Sequence, residues 1–171
     1  MDQINFRPAR MDDVETILAI NQEGYPGVVR LTFDELTTAL TQAPFFYVAE
    51  IDSLVVGYVI AYFASNFYDG DEFFWFQRHF GNFLYIDQIV ITQKARRARV
   101  GSQFYDYVEQ FARQASLTSV VCEVNLEPPN PISLNFHTKN NFVGVGTMDT
   151  SDGRRVSLRR KDLTLASTPK P

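Results

Sequence analysis

Between Lys94 and Arg99 the chain places four cations within six residues, Lys94, Arg96, Arg97 and Arg99, and follows them with Gly101 and Ser102. Such a run can attract an anion, and a glycine lets a ligand come close to the main chain. A second set of chemically capable residues is scattered further along the chain. Asp87 and Glu123 are carboxylates able to accept a proton, and His137 can exchange one near neutral pH.

The elements that must position these residues follow from hydrophobic patterning. Phe83 to Thr92 is rich in β-branched and aromatic residues and apolar on both faces except at Asp87 and Gln88, which predicts a strand in the middle of a sheet. Alternation puts Asp87 on the same face as Tyr85, Ile89 and Ile91. From Val100 the period changes: Val100, Phe104, Tyr107, Val108, Phe111, Ala112 and Ala115 fall at helical spacing. A strand therefore runs into a helix through one short basic turn. The free amides of that turn and the positive end of the helix dipole suit a phosphate. A solvated basic loop and a nucleic-acid patch are the competing readings. The second is disfavoured by 16 Lys and Arg against 20 Asp and Glu and a net charge of -4.

The 171 residues suffice for one domain with a substantial core, expected over 1–163, and 164–171 read as a frayed tail. The single cysteine, Cys122, excludes an internal disulfide and fits a reducing compartment. No stretch has signal-peptide or bilayer-spanning character, so a cytoplasmic protein with no membrane or nucleic-acid partner is expected.

In chain order, Ile4 to Pro8 predicts a first strand, Asp12 and Asp13 open a helix with Val14, Ile17 and Leu18 inward, and Gly24 to Gly27 breaks it. Thr32-Phe-Asp-Glu35 is a capping box for a second helix. Phe45 to Ile51 and Leu54 to Phe63 form a hairpin around Asp52-Ser53, where Gly57 signals a bulge or a close neighbour. Asn66 to Asn82 gathers Phe67, Tyr68, Phe73, Phe74, Trp75, Phe76 and Phe80 around Asp69, Asp71 and Glu72. This segment reads as a lid or wall, a homodimer contact, or a satellite core under a long loop. Ser119 to Asn125 is a further strand, Asn130 and Pro131 start a short helix, and Phe142 to Met148 and Arg154 to Leu163 make a last hairpin.

The stretch Arg96 to Gly101 resembles the acyl-CoA-binding segment of the GNAT superfamily of N-acyltransferases. That segment reads Arg or Gln, two residues, Gly, one residue, then Gly or Ala. The pattern falls on Arg96, Arg99 and Gly101, with Arg99 where the family has its first glycine. A second signature has an asparagine, a small residue three positions on, a bulky residue followed by tyrosine, then Lys-x-Gly-Phe. Asn130, Ser133, Phe136, Lys139 and Phe142 keep it, His137 stands at the tyrosine, and Asn141, which tolerates positive φ, stands at the glycine.

The resemblance implies an α/β (α+β) fold: a mixed, mostly antiparallel central sheet of about seven strands, helices on both faces, splayed between the fourth and fifth strands. It implies acetyl-CoA as co-substrate without a metal, and direct transfer of the acetyl group to the amine of a small molecule or peptide. Main-chain groups of Ile89, Val90 and Ile91 would pair with the pantetheine arm. The amides of Arg97, Ala98, Arg99, Val100, Gly101 and Ser102, beside Arg96, would hold the pyrophosphate. Asn130, Ser133 and Phe136 would complete the coenzyme site. His137 would protonate the departing thiolate, Asp87 or Glu123 would serve as base, and the loop from Asn21 to Arg30 would border the acceptor. If the segment from Asn66 to Asn82 forms the acceptor wall, its acidic group at Asp69, Asp71 and Glu72 would favour a cationic amine. A GNAT-fold module that senses acyl-CoA or binds a partner without turnover is the alternative that Arg99, His137 and Asn141 keep open.

Overall fold

The computed structural model describes residues 3–163; the tail expected at 164–171 lies outside the described residues. The seven strands form one sheet in the order β1-β2-β3-β4-β5-β7-β6. The architecture is mixed α/β, mostly antiparallel with β4 and β5 parallel, and helices flank the sheet. Among the described residues no helix is long and apolar enough to cross a membrane. The chain packs as two compact units, one of residues up to Tyr62 with Ile86–Tyr105, the other of Phe63–Tyr85 with the chain from Asp106 onward.

The first unit holds β1 (Asn5–Pro8), α1 (Val14–Gly24), α2 (Phe33–Gln42), β2 (Phe45–Ile51), nearly all of β3 (Leu54–Phe63) and most of β4 (Phe83–Ile91). A 3-10 turn, Met11–Asp13, precedes α1. Of its two acidic residues Asp13 is structural: Arg7 donates to both Asp13 oxygens at 2.7 and 2.8 Å and to Glu50 at 2.8 Å. The Arg7 hydrogen bonds hold the Asp13 carboxyl below the usual carboxylate range, and Asp13 in turn raises the guanidinium. At α2 the capping box forms in full, with the Glu35 amide donating to Thr32 Oγ1 at 3.2 Å and Glu35 accepting from the Thr32 amide at 2.7 Å.

The β2–β3 hairpin closes through Asp52 and Ser53 at φ 50° and 64°, the left-handed pair a two-residue turn requires. Both reasons offered for Gly57 hold. The register slips between Ala49↔Gly57 and Glu50↔Val55, and a Cβ on Gly57 would stand 2.4 Å from Ile91 Cδ1 and 2.8 Å from the Val90 carbonyl oxygen.

The second unit holds α3 (Asp71–His79), β5 (Ser119–Glu127), α5 (Pro131–Lys139), β6 (Val143–Asp149) and β7 (Arg155–Asp162), with the first residues of β4 and most of α4 (Val100–Gln114). β7 pairs antiparallel with both β5 and β6. The aromatic segment contains a helix, and its inner face is core: Phe73 and Phe76 are fully buried, edge-on or tilted against Phe83 and Tyr85 at 5.4–6.1 Å between ring centroids. Two of the three carboxylates there are occupied internally. Asp71 accepts from the Ser151 amide at 2.8 Å, and buried Glu72 pairs with Arg154 at 2.8 Å. The satellite-core reading thus describes Phe73 and Phe76, while only Asp69 and the outer rim, with Phe67 and Phe74 exposed, remain for other duties.

Candidate functional site

In the first unit the sequence after Ile91 does not enter a helix at once. Gln93–Ala98 forms a 3-10 turn, Arg99 takes a left-handed conformation at φ 60° and ψ 20°, and α4 begins at Val100. A side chain there is strained by its Cβ, so the position is one glycine occupies most readily. The Gln103 amide donates to the Arg99 carbonyl at 3.1 Å. The amides of Val100, Gly101 and Ser102 come before that bond and have no carbonyl of their own helix to donate to. Arg96, Ala98 and Arg99 are exposed; Arg97 belongs to the turn by its backbone, and its side chain lies outside the described ones.

Upstream of the turn, β4 alternates as expected. Asp87, Ile89 and Ile91 are half-buried on one face, and Gln88 and Val90 are buried on the other. Asp87 lies close enough to Tyr58 and Tyr62 for its charge to raise both phenols, although burial is the larger cause in each. Both hydroxyls therefore stay protonated at neutral pH.

In the second unit α5 starts where the sequence signals it. The Ser133 amide donates to Asn130 Oδ1 at 3.1 Å, and Pro131 occupies the first turn. His137 is 3% exposed. Its Nδ1 lies 2.8 Å from the Ser133 carbonyl oxygen, and Phe136 and Phe142 stand edge-on to its ring at 5.5 and 5.3 Å. A carbonyl only accepts, so Nδ1 carries the proton in the neutral ring and Nε2 is left as an acceptor. Burial pushes the His137 pKa down to about 4. Asn141 takes φ 65°, as its place at the second signature's glycine predicts.

A family model of the GNAT acetyltransferases matches residues 14–142, a span that contains both the basic turn and α5. The chain belongs to the GNAT acetyltransferase family. Acetyl transfer with acetyl-CoA is the chemistry of that family. No curated protein matches the sequence. Among solved structures, Ard1 from Thermoplasma volcanium is similar with a TM-score of 0.77 at 19% identity, covering 95% of this chain and 99% of that one. YncA from Salmonella typhimurium, a putative acetyltransferase solved with its cofactor acetyl-CoA, gives 0.70 at 14% identity over 98% of each chain. Naa20 from Chaetomium thermophilum, in complex with a bisubstrate analogue, gives 0.74 at 18% identity over 93% of this chain and 86% of that one. At these identities the likeness is one of fold.

Set on the GNAT frame, the expected site residues divide between the units. Asp87, Ile89, Val90, Ile91 and the turn from Arg96 to Ser102 fall in the first. Glu123, Asn130, Ser133, Phe136 and His137 fall in the second. Glu123 is half-buried on β5, opposite Leu158 of β7, and its charge is one of those that raise the Arg154 pKa.

Sequence reasoning missed a polar cluster in the first unit. Asn21 Nδ2 lies within 3.0 Å of the Val29 carbonyl, 2.9 Å of Tyr58 Oη and 3.0 Å of Gln88 Oε1, and Asn21 Oδ1 accepts from the Leu31 amide at 3.0 Å. Gln88 was one of the two polar residues in β4 that needed a reason, and this is the reason. The other signal was available too: Asn21 follows Val14 and Ile17 on the buried stripe of α1, where an apolar residue is the norm.

Proposed function

We propose that the protein is an N-acetyltransferase that moves an acetyl group from acetyl-CoA to the amine of a small molecule or peptide, by direct transfer in a ternary complex. The observation that carries this reading is the turn before α4. A left-handed Arg99 ends the 3-10 turn, the helix opens with Val100, Gly101 and Ser102, and its first bond comes from Gln103. On this reading the amides from Arg97 to Ser102 take the pyrophosphate of the coenzyme at a helix N-terminus, and Arg96 and Arg99 add charge at an exposed position. Main-chain groups of Ile89, Val90 and Ile91 pair with the pantetheine arm. Asn130, Ser133 and Phe136 support the coenzyme through α5, whose first turn Asn130 fixes.

Asp87 is the base this reading favours. It shares a half-buried face with Ile89 and Ile91, and Tyr58 and Tyr62, whose pKa values its charge helps to raise, stay neutral. Glu123 remains the second carboxylate to test. For the thiolate, an acid role of His137 would need a charged ring, and a pKa of about 4 leaves roughly one ring in a thousand charged at neutral pH. A thiol of pKa about 8.5 is also a good leaving group without an acid. His137 is therefore read as the anchor of α5, and solvent supplies the thiolate proton. Positioning and amide dipoles provide most of the rate, and the base adds about a hundredfold to ten-thousandfold.

The test is a thermal shift with coenzyme A followed by thioester consumption over a panel of amines. Stabilisation by millimolar coenzyme A, turnover of at least one amine, and loss of turnover in Asp87→Asn with the thermal shift kept are the expected results. The second reading, an acyl-CoA sensor, draws on the burial of His137 and on Arg99 at the glycine position. Stabilisation by the coenzyme with no turnover on any amine would favour it.

A further inference from the structure

Arg30 is an exposed residue held between two clamped peptide groups. On one side the Val29 carbonyl accepts from Asn21 Nδ2 at 3.0 Å and from Gln88 Nε2 at 2.9 Å; on the other the Leu31 amide donates to Asn21 Oδ1 at 3.0 Å. The clamp is interior. Asn21 and Tyr58 are 0% exposed and Gln88 is 4% exposed. Tyr58 Oη donates to Gln88 Oε1 at 2.7 Å, which fixes the amide's orientation so that Nε2 faces Val29. Burying three polar side chains is costly unless their groups are satisfied, and here they are satisfied by one another and by the backbone on either side of a single arginine.

The Arg30 guanidinium lies over the Tyr25 ring at 4.0 Å from its centroid. Stacking engages the flat face of the cation and leaves its in-plane N–H edge for an acceptor. None of the ion pairs among the described residues involves Arg30. The loop is also fixed beside the strand and turn given above to the coenzyme. A Cβ on Gly24 would stand 3.0 Å from Val90, and Glu23 accepts from the Gln93 amide at 3.2 Å.

We infer that Arg30 is a preorganised anion-recognition residue, and that the acceptor carries a carboxylate or phosphate which this guanidinium binds in the plane of its N–H groups. Arg30 touches the acceptor; Asn21, Tyr58 and Gln88 are positioning residues that act through the backbone of Val29 and Leu31. That the bound anion belongs to an acetyl acceptor rests on the acetyltransferase reading, whereas the anion site itself rests on the clamp and the stacked cation.

The experiment follows the Arg30 Nε–Hε resonance in protein labelled with ¹⁵N-arginine, assigned by its loss in Arg30→Gln. Alanylalanine, its C-terminal amide and O-phosphoethanolamine are titrated in turn, with and without coenzyme A. A saturable shift with alanylalanine but not its amide assigns a carboxylate, and a shift with phosphoethanolamine alone assigns a phosphate. Calorimetry with the same ligands should show binding weakened about tenfold to a hundredfold in Arg30→Gln and partly kept in Arg30→Lys. A resonance unmoved by either anion, or moved equally by the neutral amide, overturns the inference. Anion binding at Arg30 in a protein that does not bind coenzyme A would instead sink the acetyltransferase reading and leave the site standing.

Discussion

Arg99 at φ 60° and Asn141 at φ 65° both hold a left-handed conformation where the two GNAT signatures place glycine, yet their surroundings differ. Around Arg99 the side chains of Arg96 and Ala98 are exposed, and the useful groups are main-chain amides ahead of a helix. Around Asn141 the neighbouring side chains are core: Phe142 is 1% exposed and His137 3%. One signature keeps its left-handed corner ahead of a helix start, and the other keeps it beside buried side chains. Turn geometry and buried contacts each constrain a motif's spacing, independently of what its side chains do chemically.

The largest effect that separates the two regions is expected at His137. His137→Ala removes a buried ring and its hydrogen bond to Ser133, so it should lower unfolding stability by about 2–4 kcal/mol, read by denaturant melts, while leaving the coenzyme-induced thermal shift in place. Loss of coenzyme binding with stability unchanged would reverse the assignment of the two regions.

A pH profile sharpens the same point. Unfolded, the His137 ring titrates near 6.5; folded, at about 4. Folding thus expels its proton, so stability is fully present above the unfolded value and falls as pH drops from about 6.5 towards 4. The stability lost over that range is on the order of 3 kcal/mol. The carboxylates held low by partners, such as Asp13, act in the same direction but below the usual carboxylate range. His137→Phe should therefore flatten the upper part of the profile and spare the lower part. An unaltered upper part would place the ring in solvent.

The smallest effect compares the two corners directly. Arg99→Gly should stabilise by about 1 kcal/mol through relief of the left-handed backbone, and Asn141→Gly by less, since asparagine tolerates that region better. Equal gains at both positions would mean that Arg99 is held without strain.

How far the sequence could be read follows the range of the interactions involved. Local signals were legible: the Thr32 capping box, Asn130 with Pro131, Gly57, the Asp52-Ser53 turn, and positive φ at Asn141 all depend on neighbours or on backbone preference. The helix Asp71–His79 was harder, because aromatic residues on all sides hide the spacing of Phe73 and Phe76 that faces the core. The Asn21 cluster was harder still, since its partners Tyr58 and Gln88 lie 37 and 67 residues along the chain. His137 was hard to place for a related reason: its identity suggests proton transfer, whereas its burial against Phe136 and Phe142 is a property of the fold.

The most direct measurement is an amide chemical-shift titration of the uniformly ¹⁵N-labelled protein with coenzyme A, compared with dephosphorylated pantetheine. The account predicts large, saturable shifts at Val100, Gly101 and Ser102 with coenzyme A, and their absence with pantetheine, which lacks the pyrophosphate. Coenzyme A binding that leaves those three amides unmoved would contradict it.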